Sequence, residues 1–189
     1  MMGKLWLGAL LFAGPHLVST VVPALRDHLK ERLGEAPFKG LYALVSLAGV
    51  VLLVLAYVQA RSGGGGVLYE PWSGARHLNM LLSLAGFILM ASARGQGYIR
   101  RAVKHPQSLG MALWATGHIL ANGETAVVVI FATILVVALA DIVFSLARGK
   151  MPVHTPQLRS DLVAIAGGTV VYLVLLFGFH PYILNVPVL

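Results

Sequence analysis

Seven histidines and no cysteine set the chemistry open to this chain. Without cysteine there are no disulfides, no thiolate metal sites and no cysteine nucleophiles. Histidine remains as the metal ligand and the proton carrier near neutral pH. The sequence carries no H-E-x-x-H, no Walker loop, no G-x-S-x-G and no dinucleotide fingerprint. Its carboxylates are scattered rather than paired, so hydrolysis, phosphoryl transfer and nicotinamide chemistry lack their parts. No catalytic residue is assigned.

The elements that must position these histidines are membrane helices. The 189-residue chain is 58% hydrophobic and 11% charged. Soluble domains are about 45–50% apolar and about 25% charged, so the excess apolar surface has to face lipid. A span needs about 20 mainly apolar residues. Six candidate spans follow, over 5–22, 41–60, 77–93, 107–121, 125–147 and 162–184. The fold expected is an all-α, polytopic transmembrane helical bundle of about six helices, in one domain over residues 1–189. Lys4 ahead of the first apolar run resembles a signal peptide, but the run resumes at Leu17 and no A-x-A site follows. The segment is expected to stay as a helix.

The net charge is +7. Basic residues flanking apolar spans are the positive-inside signal rather than a nucleic-acid footprint, and the partner they imply is the lipid bilayer. Of the 14 lysines and arginines, 11 fall in the first, third and fifth connections. They are Arg26, Lys30, Arg32 and Lys39, then Arg94, Arg100, Arg101 and Lys104, then Arg148, Lys150 and Arg159. Those connections are therefore expected to be cytoplasmic, with both termini on the non-cytoplasmic side. Residues 26–35 read as an amphipathic extension of the first helix and 62–66 as a glycine-rich flexible loop. Asn122-Gly123-Glu124 is a tight turn making a hairpin of the fourth and fifth helices, with Glu124 placed to cap the fifth.

Ionisable residues inside a span are costly and mark function, so depth sorts the histidines. His28 and His154 fall in connections and read as solvated. His180, beside Tyr182, reads as interfacial. His16 lies about 18 Å into the first helix and His118 about a dozen residues into the fourth, both near mid-bilayer at 1.5 Å per residue. Two neutral imidazoles at similar depth suit the axial positions of a haem iron, and b-type haem needs no cysteine. An interhelical hydrogen bond is the other reading of the pair. His105 opens the fourth helix ahead of Pro106, which suits a first helical turn. It is about 20 Å along the axis and about 220° around it from His118, so the two cannot share a metal. With Arg100, Arg101 and Lys104 it can meet lipid headgroups or haem propionates. His77 starts the third helix and either anchors the interface or contacts a cofactor from above. Asp141 can meet His105 or the Arg100–Lys104 cluster.

Lys104-His105-Pro106-Gln107-Ser108-Leu109-Gly110, Leu113-Trp114-Ala115 and His118-Ile119-Leu120-Ala121-Asn122-Gly123 together resemble the NnrU family. Gly14-Pro15-His16, Leu33-Gly34-Glu35, Lys39-Gly40-Leu41-Tyr42 and Arg76-His77-Leu78 extend the likeness over nearly the whole chain. The resemblance implies a multi-pass protein of the bacterial inner membrane linked to nitrite and nitric oxide metabolism. The family is also similar to 15-cis-ζ-carotene isomerase, a membrane enzyme whose haem b couples redox-linked ligand change to double-bond isomerisation. Its two haem-ligating histidines match His16 and His118. Its cysteine three residues before the second ligand is Ala115 here, which removes a thiolate ligand switch and leaves bis-histidine haem binding untouched. An apolar substrate and a reductase partner are the associations implied.

Two other functions compete with haem binding. One is a non-enzymatic membrane scaffold or assembly factor for nitrogen-oxide reductases. The other is a membrane methyltransferase, to which His105-Pro106 and Gly110 bear a distant likeness. That likeness fails at the apolar end of the sixth helix.

Overall fold

A computed structural model of the chain describes residues 1–149 and 152–186. Lys150, one of the basic residues counted above, lies outside them. Among the described residues the structure is helical, with one isolated bridge between Val67 and Glu124 as its only β pairing. The helices are α1 (Met2–Val21), α2 (Pro23–Leu33), α3 (Glu35–Gln59), α4 (Ala75–Ser92), α5 (Tyr98–Val103), α6 (Pro106–Ala121), α7 (Thr125–Ala147), α8 (Leu158–Val174) and α9 (His180–Tyr182). A π-helical turn closes α3 at Ala60–Gly64, and another joins α8 to α9 at Leu175–Phe179.

Five helical segments are long and apolar enough to cross a membrane: Met2–Val21, Glu35–Gly63, Ala75–Ser92, Thr125–Ala147 and Leu158–Tyr182. The sixth expected span, α6, has 16 residues, about 24 Å at 1.5 Å per residue, which is less than the bilayer core. Packing runs in the order α3, α1, α7, α6, α4, α8, which is not the order of the chain. Leu5 and Ala9 of α1 pack with Ala126 of α7, and Arg148 at the far end of α7 donates to the Thr20 carbonyl at the far end of α1 (2.6 Å). Those two helices therefore run parallel, and α6, hairpinned to α7, runs against both.

The interior is thin and built from small residues. The buried cluster at one end is Leu5, Ala9, Leu53, Ala56, Ala60 and Ala126. Large side chains point outward instead; Leu44 is 67% exposed and Val163 65%. That inversion suits lipid, where helices gain nothing by hiding leucine and associate through close backbone packing at small residues. A Cβ on Gly49 of α3 would stand 2.5 Å from the Phe12 amide nitrogen of α1. One on Gly110 of α6 would stand 2.5 Å from the Gly86 carbonyl of α4, and one on Gly168 of α8 2.6 Å from Ile88 Cα of α4.

Three expectations about the connections change. The extension of the first helix is a separate helix, α2, because the chain breaks at Val22 (φ −122°, ψ 67°) and restarts with Pro23 in the first turn; none of its residues is buried. The glycine-rich connection is held rather than free. Gly66 accepts from the Thr125 amide (2.8 Å) and the Thr125 hydroxyl (2.9 Å), and Leu68 donates to the Gly123 carbonyl (2.7 Å). Glu124 occupies the N-cap position of α7 without a side-chain cap bond. The expected turn at 122–124 is present, between α6 and α7.

Candidate functional site

His118 is the centre of the most elaborate side-chain cluster. Its ring stacks on Phe131 of α7 (centroids 4.2 Å apart, 15° between planes) and meets the edge of Trp114 one turn earlier on α6 (5.3 Å, 69°). Its Nδ1 lies 2.9 Å from the Trp114 carbonyl oxygen, and Asn122 Nδ2 donates to the His118 carbonyl (2.9 Å). A carbonyl oxygen only accepts, so Nδ1 carries the proton and Nε2 of the neutral ring keeps its lone pair. The preceding residue explains the tight seat. A Cβ on Gly117 would come 2.5 Å from Asn79 Oδ1, so α4 crosses α6 directly beside His118. Ala115, three residues before His118, is fully buried.

His180 joins this cluster. Its ring centroid lies 6.3 Å from that of His118, with 24° between planes, and its Nδ1 lies 2.7 Å from the Leu175 carbonyl oxygen. It is half-buried, and the sequence reading of it as interfacial beside Tyr182 did not anticipate its contact with His118. The cause is the π turn at Leu175–Phe179, which inserts a residue into the helical repeat and turns every later side chain to a new azimuth. Helical periodicity carries no signal for such a turn, so sequence reasoning missed this neighbour.

His16 sits elsewhere. It packs between Phe12 (4.7 Å) and Tyr42 of α3 (5.1 Å), with Nδ1 2.7 Å from the Phe12 carbonyl oxygen. Among the described residues no ring contact joins His16 to His118. His118 is on the last turn of α6, and His16 is in the C-terminal third of the antiparallel α1. His77 is exposed on the first turn of α4, two positions before Asn79 and at the same end as His118. His105 and Arg101 stand at the other end of α6. Arg101 is exposed, and His105 Nε2 is buried with no hydrogen-bond partner.

At that basic end Asp141 and Asp161 bind backbone and hydroxyls rather than the arginines, whereas Asp27 pairs with Arg26 (2.8 Å). Asp141 accepts from the Ser108 hydroxyl and lies within hydrogen-bond reach of Ser145, instead of meeting His105 or the Arg100–Lys104 cluster. Asp161, 5% exposed, accepts from the Tyr98 amide (2.8 Å) and the Ile99 amide (3.1 Å), latching α8 to the start of α5. His154 Nε2 lies 3.0 Å from the Gly97 carbonyl oxygen and so belongs to the same latch, not to solvent. His28 is exposed, as read.

Among the described residues no group of three or more His, Asp or Glu side chains is arranged to hold a bare metal ion. What the cluster offers is imidazole nitrogens, each fixed through its other nitrogen, beside aromatic rings. A search of curated proteins and one of solved structures return no match. The family model described as NnrU protein matches residues 4–188, nearly the whole chain. On that match, and with five apolar helices long enough to cross a membrane, the chain belongs to the NnrU family.

Proposed function

We propose that this chain is a multi-pass protein of a bacterial inner membrane that binds haem b, with His118 as an axial ligand. The observation carrying this reading is the anchored imidazole: Nδ1 donates to the Trp114 carbonyl and leaves the Nε2 lone pair free beside Phe131 and Trp114. Fixing one ring nitrogen on a carbonyl sets the tautomer and aim of the other, as in ligating histidines generally. Haem brings four nitrogens of its own, so one or two imidazoles suffice where a bare ion would need a larger cluster. The bound iron would supply one-electron redox chemistry or a site for a small ligand.

Two residues compete for the opposite axial position. The family likeness implies His16, whose Nδ1 is anchored in the same way. The contacts bring in His180 as the other candidate, its ring centroid 6.3 Å from that of His118. His77, exposed at the same end, can reach the rim. Arg101 and His105 stand a helix length from His118; the exposed Arg101 can meet lipid headgroups at the basic end, whereas the buried Nε2 of His105 cannot. That end faces the cytoplasm by the positive-inside rule, which leaves both termini and the His118 cluster towards the other side. A reductase partner or an apolar substrate would approach within or along the bilayer.

The test is the absorption spectrum of the detergent-purified protein, oxidised and reduced, for wild type and for His118→Ala, His180→Ala and His16→Ala. A low-spin spectrum with split bands on reduction is expected in wild type and lost in His118→Ala. Of the other two variants, the one that turns the haem high-spin carries the second ligand. Wild type that is colourless and takes up no added haem, or unchanged spectra in His118→Ala, overturns the assignment and leaves the scaffold reading.

A further inference from the structure

A groove of ≈ 730 Å³ runs between α4 and α8, bordering the His118 cluster only where its Phe87 wall meets the edge of Trp114 (6.1 Å). Its walls along the helices are Phe87, Met90, Val163 and Val171, and its floor is the small-residue face Ala164, Gly167 and Gly168. Its volume lies within the range of about 300–1,000 Å³ typical of small-molecule sites. The groove has an apolar length and a polar mouth. At the N-terminal end of α8 it is lined by Gln157, Arg159, Ser160 and Gly95. Arg159 is exposed, and Arg100 donates to the Gly95 carbonyl (2.9 Å), which brings a second guanidinium to the rim. Among the described residues the carboxylate close by, Asp161, is buried and turned onto the Tyr98 and Ile99 amides. The mouth is therefore cationic while the rest is hydrocarbon-lined.

We propose that this groove is a binding site for a phospholipid with an anionic headgroup, its phosphate at Arg159 and an acyl chain along Gly167 and Val171. The charge pattern selects this occupant. A zwitterionic lipid would bring its own cation to two arginines, whereas an anionic headgroup meets them without one. The small residues of α8 leave the chain its room. Gly168 is needed for packing against Ile88, but a Cβ on Gly167 meets nothing within 4 Å, so Gly167 is open to the groove alone.

That difference supplies the test. Wild type, Arg159→Gln and Gly167→Leu are purified in mild detergent. Each is titrated with phosphatidylglycerol and with phosphatidylcholine of the same acyl chains, and bound lipid is counted by native mass spectrometry. Wild type is expected to retain phosphatidylglycerol about five-fold better than phosphatidylcholine, the effect of one arginine near a headgroup. Arg159→Gln should lose that preference. Gly167→Leu should lose retention of both lipids while its helical circular dichroism and melting midpoint match wild type. Equal retention of the two lipids by wild type, or undiminished retention in a folded Gly167→Leu, overturns the proposal.

Discussion

Replacing Gly110 by alanine adds one methyl group where α4 and α6 touch backbone to backbone. The new Cβ would lie 2.5 Å from the Gly86 carbonyl oxygen, 2.8 Å from Met90 Cγ and 3.0 Å from the Met90 amide nitrogen. Ordinary contact between such atoms begins near 3.5 Å, so the helices must part by about 1 Å. The methionine can swing aside, but the carbonyl belongs to the α4 backbone and cannot. A radial gap of that size forfeits about a quarter to a half of each dispersion contact along the pair, and overpacking of this kind costs about 1–3 kcal/mol. For a chain of this length that corresponds to a fall in melting midpoint of about 2–12 °C, measurable by circular dichroism in detergent. Gly40→Ala is the matched control, since its Cβ meets nothing within 4 Å and alanine favours helix over glycine by up to about 1 kcal/mol. Gly110→Ala as stable as wild type, or Gly40→Ala equally damaging, would refute the view that glycine-mediated crossings hold the bundle.

Other consequences follow from the latch and the loop. Asp161→Ala strands two amides that its carboxylate accepts from, at about 1–3 kcal/mol each; limited proteolysis should then cut within residues 92–105, which wild type resists. Burial holds the Tyr69 phenol above the usual tyrosine value, and that phenol donates to the Ile119 and Asn122 carbonyls. The folded state thus favours the protonated form, so its stabilisation is complete below the pH at which an exposed tyrosine ionises and is lost as pH rises through the folded value. A pH series of melting midpoints should show this loss in wild type and a shallower one in Tyr69→Phe.

Much of the architecture can be read from the residues one by one. Hydropathy over lengths of 17–25 residues finds the spans, with α7 placed at its observed ends, and Asn122-Gly123-Glu124 marks the hairpin. The clustering of arginine and lysine in alternate connections likewise anticipates the end of the bundle where Arg148 meets Thr20 and the Asp161 latch closes. These are local properties, fixed by transfer free energy and turn chemistry, and they survive any arrangement of neighbours.

The candidate site is not local in that sense. In a soluble helix an apolar stripe reveals which face is buried, but here lipid-facing and interior faces are both apolar. Leu44 and Leu53 of α3 are the same residue type, yet one is 67% exposed and the other 5%. Which helices adjoin, in the order α3, α1, α7, α6, α4, α8, depends on where glycines on separated segments allow backbones to meet. The sequence by itself therefore determined a set of apolar helices carrying histidines, with one basic end and its opposite. Only the tertiary structure decided that His118 would face Phe131 and His180, because a π turn after α8 resets the azimuth of the residues beyond it and helix adjacency sets which rings meet.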